Sequence, residues 1–236
     1  MKIDILTLFP EMFAPLKTSL IGKAVEKDLV ELNIIDFREF SKNKHKKVDD
    51  YPFGGGAGML IQAQPIYDAV MNYKTENSKV IYMSPKGKVL DQKMVETLAK
   101  EEHLILLCGH YEGIDERAIE LCVDDQLSIG DYVLTGGELP AMIVTDAILR
   151  YIPNVLHSEN STDEESFSDG LLEYPQYTHP REFMGKVVPN ILLSGNHAQI
   201  AKWREEQKII ETKKYRPDLL EKYEKSRKSN PKKITK

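Results

Sequence analysis

Leu104-Ile105-Leu106-Leu107-Cys108-Gly109-His110-Tyr111-Glu112-Gly113-Ile114-Asp115-Glu116-Arg117 is the stretch on which the fold turns. Five apolar residues stop at a glycine, a short polar turn follows, and an acidic residue then opens a helical pattern that runs to Cys122. A compact apolar run bounded by turn residues is what a strand buried on both faces requires. Working outward, the same order recurs. Ile3–Leu8, Leu32–Phe37 and Val80–Met83 read as strands, and Lys17–Lys27, Pro65–Lys74, Gln92–Lys100 and Pro140–Tyr151 as helices. Pro65 suits a first helical turn, and Pro153 stops the last helix. This alternation over residues 1–156 predicts an α/β domain with a mostly parallel sheet covered by helices.

The pattern breaks at residues 157–170, which are polar and acidic and have almost nothing to bury. A flexible linker over 157–172 is expected there, followed by a basic helical domain over 173–236 with helices near Asn196–Thr212 and Pro217–Ser226. No internal repeat is visible.

Charge is unevenly placed. The 236 residues carry a net charge of −5, yet residues 201–236 hold 13 Lys and Arg against 6 Asp and Glu. A second basic cluster spans Lys42–Lys47. Each cluster alone reads as solvated surface. Two such clusters in an acidic protein raise the case for a polyanion partner. Cys108 and Cys122 have neither metal-ligand nor disulfide spacing, which suits a reducing cytoplasm. No run approaches the length of a membrane span, and Met1–Leu6, interrupted by Asp4, reads as a first strand and not as a signal peptide.

Four segments join glycine to polar residues: Asp49–Met59, Tyr82–Gly87, Cys108–Arg117 and Ser128–Pro140. Glycine lets backbone approach a ligand, and ligands of parallel sheets sit at the carboxyl ends of strands. One glycine-rich loop is usually only a turn; three that follow strands could line one pocket. Gly54–Gly58 lacks the dinucleotide spacing, Ser84–Leu90 lacks the P-loop spacing, and the histidines form no metal-binding motif. No nucleophile elbow occurs. His110 and His197 read individually as hydrogen-bonding structural residues.

Taken together, Gly109–Arg117, Ser128–Pro140 and Gly170-Leu171-Leu172-Glu173-Tyr174-Pro175 closely resemble the bacterial-type tRNA (guanine-N1)-methyltransferase family, of the SPOUT class. The resemblance runs from Phe9-Pro10-Glu11-Met12-Phe13 through Ser194-Gly195-Asn196-His197 and Trp203-Arg204. It implies a deep trefoil knot, a homodimer that shares its RNA site between subunits, and transfer of a methyl group from S-adenosylmethionine to N1 of guanine at tRNA position 37, beside the anticodon. The family is also associated with Mg²⁺.

By the same resemblance Tyr82, Ser84 and Pro85 form one wall of the cofactor pocket, and Gly109, Tyr111, Glu112 and Gly113 a second. Ile129, Gly130, Asp131, Tyr132, Val133, Leu134, Gly136, Gly137 and Pro140 complete it. Asp169 matches the family's catalytic base, and Arg150 the arginine that stabilises charge on guanine O6. From composition alone Asp169 is one more acid in an acidic loop, and Arg150 a helix-end cation. Asp50 is a candidate for contacts around the target base. Lys202 and Arg204, with Lys213, Lys214 and Arg216, are candidates for phosphate contacts. His179 stands where the family often has arginine, so a phosphate contact there is expected to be weaker.

Three other readings compete. A ribose 2′-O-methylating SPOUT enzyme would have no need of Asp169 in its Gly-Leu-Leu setting. A non-catalytic RNA-binding protein would be expected to lose Asp169, Arg150 or the pocket glycines. A nicotinamide oxidoreductase would need the missing dinucleotide fingerprint.

Overall fold

The structure, a computed structural model, describes residues 1–156 and 164–229. The chain divides into two compact units, residues 1–159 and 160–236.

The first unit begins with β1 (Lys2–Thr7), a 3-10 segment (Pro10–Lys17), α1 (Ser19–Glu26) and β2 (Glu31–Asp36). After a second 3-10 turn come the two-residue strands β3 (Asp49–Asp50) and β4 (Leu60–Ile61), then α2 (Ala63–Tyr73), β5 (Ser78–Val89), α3 (Gln92–Leu98) and β6 (His103–Cys108). The unit ends with α4 (Glu116–Cys122), β7 (Asp125–Ser128) and α5 (Glu138–Leu149). Among the described residues, five strands form one sheet in the order β2-β1-β6-β5-β7, and every pairing in it is parallel.

Alternate side chains build a core on each face of this sheet. Leu104, Leu106 and Cys108 join Ile3, Ile5, Ile81 and Met83 beneath α1, α3 and α5, with Ile21, Val95, Leu98, Ala141, Val144 and Ile148 above them. Ile105 and Leu107 join Val80 and Tyr82 on the other face, against Ile66, Ala69 and Val70 of α2 and Ala118, Ile119 and Cys122 of α4. The period of two along a strand produces this division, and burial on both faces explains why β6 is apolar throughout. Each fully buried aliphatic side chain contributes about 1.5–3 kcal/mol.

The acid inside β1 has a structural reason. Asp4 is fully buried and bonds His103 Nε2 at 2.8 Å and Asn33 Nδ2 at 2.8 Å, so its carboxylate is not left unpaired.

Several boundaries differ from expectation. The first helix starts at Ser19, because Pro10–Lys17 winds as a 3-10 segment with Pro15 inside it. β5 continues past Met83, and β7 was not anticipated at all. Leu127 of β7 lies opposite Met83 and again opposite Lys88, so residues 84–87 make an excursion between two pairings with the same partner.

The second unit holds the hairpin strands β8 (Glu182–Phe183) and β9 (Lys186–Val187), a 3-10 turn (Asn190–Leu193), α6 (His197–Tyr215) and α7 (Pro217–Ser229). Asn196 caps α6 by accepting from Gln199 N at 3.1 Å. Of the linker expected over 157–172, residues 157–163 lie outside the described residues. Residues 164–172 are folded as part of the second unit: Leu172 N donates to Thr212 Oγ1 at 2.8 Å, and Glu173 N to Ser166 Oγ at 3.0 Å. The backbone there is hydrogen-bonded as in a folded segment, despite its acidic composition.

Candidate functional site

The excursion that follows Met83 within β5 and the loops after the carboxyl ends of β6 and β7, neighbours in the sheet, close around a pocket of about 240 Å³. Three backbone hydrogen bonds hold the loops in place. Gly137 N donates to Gly109 O at 2.8 Å, joining the loop after β7 to the loop after β6. Ile61 N donates to Gly113 O at 3.0 Å, and Glu112 N to Met59 O at 3.0 Å, joining the Gly54–Met59 segment to the same turn.

Two glycines allow this packing. A Cβ on Gly137 would stand 2.8 Å from Cys108 Cα, so only glycine lets the two loops meet. Gly113 has φ of +119°, a conformation that side chains disfavour, and it turns the chain from the pocket toward α4. Asp115 then caps α4 by accepting from Arg117 N at 3.0 Å.

The pocket gathers Tyr82, Ser84 and Pro85, then Gly109, Tyr111, Glu112 and Gly113, then Ile129, Gly130, Tyr132, Val133, Leu134, Gly136, Gly137 and Pro140. Of the anticipated pocket residues Asp131 alone stays outside the lining. Met83, His110, Leu127, Ser128 and Thr135 also line it. The glycine motifs pointed to the loops but not to Leu127, because β7 has no apolar pattern of its own.

Among the described residues that line the pocket, Glu112 is the one Asp, Glu, Lys or Arg. No side-chain cation there meets a pyrophosphate. Apolar Leu127, Ile129, Leu134 and Pro140 with one acid suit a ligand carrying an apolar body and a positive centre. Tyr82 forms part of the floor, and burial, followed by the charge of Glu116, raises its phenol above the ordinary tyrosine value.

His110 sits against Phe9 and Tyr111, with ring centroids 4.8 and 5.0 Å away. Its Nδ1 is buried without a hydrogen-bond partner among the described residues, 3.9 Å from Glu138 Oε2. Glu138 is buried at the start of α5, where a negative charge is favoured by the helix N-terminus. The expectation of a hydrogen-bonded His110 is thus not met on that nitrogen. An orphaned buried polar atom in a ligand wall fits a pocket whose bonding is completed by what it binds.

Of the other predicted residues, Asp50 and Arg150 belong to the first unit but not to this lining, and Asp169, Lys202 and Arg204 belong to the second unit. Asp50 pairs with Leu60 across β3 and β4, and its carboxylate takes Gln62 Nε2 at 3.4 Å and Lys47 Nζ at 3.7 Å. Arg150 is the C-cap residue of α5 and is half-buried. Asp169 belongs to the second unit, where Lys208 Nζ meets its Oδ2 at 2.5 Å and Leu171 N its Oδ1 at 3.1 Å. Sequence reasoning missed Lys208, which sits in a basic stretch that reads as solvated surface. Arg204 places its guanidinium 4.7 Å above the Tyr174 ring and 3.3 Å from Glu164 Oε2, while Lys202 is exposed beside Glu206 at 3.9 Å. No group of three or more His, Cys, Asp or Glu that could hold a metal ion occurs among the described residues, and no helix there is long and apolar enough to cross a membrane.

Comparison with known proteins identifies the family. The family described as tRNA (Guanine-1)-methyltransferase TrmD matches residues 1–222. A tRNA (guanine-N(1)-)-methyltransferase of Ruminiclostridium cellulolyticum is 57% identical over 226 residues, covering 94% of this chain and 97% of the relative. Proteins of the same name from Staphylococcus carnosus and Clostridioides difficile are each 56% identical, covering 94% of this chain and 92% and 98% of theirs. The chain therefore belongs to the tRNA (guanine-1)-methyltransferase TrmD family.

Proposed function

We propose that this chain methylates N1 of the guanine at tRNA position 37, beside the anticodon, with S-adenosylmethionine held in the pocket at the ends of β5, β6 and β7. Family membership makes it a tRNA guanine-N1 methyltransferase. The observation that carries the cofactor assignment is the lining itself: apolar side chains, close-approaching glycine backbone and Glu112, with no cation to meet a phosphate.

When bound, the donor supplies an electrophilic methyl group on a sulfonium. The chain must orient it, keep water away and activate the guanine. Tyr82, Ser84, Pro85, Gly109 and Tyr111 would hold it from one side, and Ile129, Tyr132, Leu134 and Pro140 from the other. Asp131, outside the lining, drops from the pocket set. Guanine N1 carries a proton, so its lone pair is engaged until a base removes that proton. Asp169 is that base. Negative charge then builds toward O6, and the guanidinium of Arg150 is suited to meet it. Asp50 contacts the target base, and Lys202 and Arg204 meet tRNA phosphates. No described residue is assigned to Mg²⁺.

The reading extends to assembly. The chain works as a homodimer in the cytoplasm; Leu139 and Ile143, one turn apart on α5 and nearly half exposed, supply apolar surface for a second copy. The double pairing of Leu127 with Met83 and Lys88, with a Gly87 Cβ position only 2.3 Å from Leu127 N, supports a tight crossing of β5 and β7 of the kind a trefoil knot requires.

The test is methyl transfer from labelled S-adenosylmethionine to two tRNA transcripts, one with guanine and one with adenine at position 37. Labelling of the guanine transcript alone is expected, and equal labelling of both would sink the assignment.

A further inference from the structure

We propose that Glu138 is a specificity-determining residue of the pocket and that His110 sets its effect: the buried carboxylate favours the positively charged methyl donor over its product, and a proton on His110 cancels that preference. The inference rests on the reading of the pocket as the S-adenosylmethionine site.

The reaction supplies the contrast. The donor's sulfur is a sulfonium. The methyl group leaves without the electrons of its bond to sulfur, so the sulfur of the product, S-adenosylhomocysteine, is a neutral thioether. Apart from the methyl group itself the two ligands differ only in this charge, so shape separates them weakly. A fixed negative charge in the wall separates them better, and in an interior of low dielectric it acts over several ångströms.

Glu138 provides that charge from behind the lining. It directly follows Gly137 and is buried. A Cβ on Gly136, a lining residue, would meet Glu138 Oε2 and come within 2.7 Å of His110 Nδ1, so both groups stand immediately at the back of the wall. The charge of Glu138 also reaches the end of β6, where it adds to burial in raising the Cys108 thiol. A buried carboxylate usually has a cation set against it. Here Oε1 takes the Thr7 hydroxyl, which is neutral, and Oε2 lies 3.9 Å from His110 Nδ1.

His110 therefore decides how much of this charge the pocket feels. Its ring is held between Phe9 and Tyr111, and its Nδ1 is buried without a hydrogen-bond partner among the described residues. Neutral, it leaves the charge of Glu138 in place. Protonated, it sets an opposite charge beside Glu138 and adds to the lining a charge of the same sign as the donor's. Histidine is the side chain that changes charge between about pH 5 and 8. The other charged or titratable groups around the ring are Tyr111 and Glu112 of its own turn, Cys108 at the end of β6, and Arg38, which lies 5.4 Å from the Phe9 ring and 3.4 Å from Asp36. With His110 neutral, the product is held less firmly than the donor that must replace it.

The test measures Kd for S-adenosylmethionine and for S-adenosylhomocysteine by titration calorimetry from about pH 5.5 to about pH 7.5, with thermal melting at each pH, on full-length wild type, His110→Asn and Glu138→Gln. In the wild type the preference for the donor, read as the ratio of the two Kd values, is expected to fall about 3- to 10-fold toward the acid end, mostly through the donor. His110→Asn keeps a neutral polar atom where Nδ1 stands and should hold its preference across the range. Glu138→Gln keeps the shape and the acceptor for Thr7, and should show the reduced preference throughout. The ligands' own groups titrate alike with every variant, so the comparison between variants isolates His110. A wild-type preference that does not change with pH overturns the proposal. So does a His110→Asn preference that falls with acid as the wild type's does, or a folded Glu138→Gln protein with the full wild-type preference at the upper pH. Where Glu138→Gln does not fold, the wild-type profile and His110→Asn decide. A wild type that binds neither ligand would instead remove the pocket assignment itself.

Discussion

The hydroxyl of Thr7 donates to Oε1 of Glu138 at 2.9 Å, tying the end of the first strand to the first turn of α5 across 131 residues. Glu138 directly follows the Gly136-Gly137 wall of the pocket, so this bond anchors the wall from behind. Thr7→Val keeps the shape and removes the donor. Hydrogen bonds to charged groups contribute about 1.5–3 kcal/mol, so a loss of that size is expected in urea unfolding, with a raised KM for S-adenosylmethionine. A change under about 0.5 kcal/mol would show that Glu138 is held by something else.

Gly137 tests the pocket more directly. Its φ of −83° suits any residue, so the cost of Gly137→Ala is steric alone. The new methyl would stand 2.8 Å from Cys108 Cα and 3.0 Å from Gly109 N, both backbone atoms that cannot swing away. S-adenosylmethionine affinity, read by titration calorimetry, should drop at least about tenfold, equivalent to roughly 1.4 kcal/mol. Unaltered affinity would mean that the two loops part without harm to the site.

The cysteines make a prediction about pH. Burial, followed by the nearby charge of Glu138, pushes the Cys108 thiol well above its ordinary value, and burial pushes Cys122 up to about 11. Thiolates are the reactive species, so both should resist a thiol reagent at pH 8 in the folded protein and react promptly in denaturant. In the unfolded chain these groups ionise near 9, so above that pH the unfolded state gives up protons that the folded state retains. Stability should therefore fall as pH rises from about 9 through about 11. Double replacement by serine or alanine should flatten that decline.

Lys202 and Arg204 should part company in tRNA binding. Lys202 is exposed, and Lys202→Ala should lower the slope of log K against log salt by about one unit with no change in melting temperature. Arg204 also covers the Tyr174 ring and meets Glu164. Its replacement by alanine should destabilise the second unit as well as weaken binding. Identical behaviour of the two variants in both assays would contradict this division.

Strand β6 was readable because a strand buried on both faces has to be apolar at every position. β7 was not: in Asp125-Gln126-Leu127-Ser128 only the last two residues are buried, and nothing in four residues distinguishes an edge strand from a turn. The pocket loops were legible because close approach of backbone to backbone demands glycine, as at Gly137. The membership of Leu127 and His110 depends on pairings with Met83 and Gly136, which are distant in the sequence. Lys208 was hidden for a different reason: composition gives a charged residue no mark that tells burial from exposure. The packed state of residues 164–172 is a matter of partners on α6, which an acidic sequence does not announce.

The sheet order has one more consequence, for the protein as it is made. The segment His103–Cys108 is the one most prone to associate with other chains if left bare, being apolar, β-favouring and short of charge. Its two neighbours in the sheet, β1 and β5, both precede it in the chain. On leaving the ribosome it meets partners already synthesised and waiting on either side. The strand that most needs covering is thus delivered after both of the strands that flank it, and its two edges find partners already made.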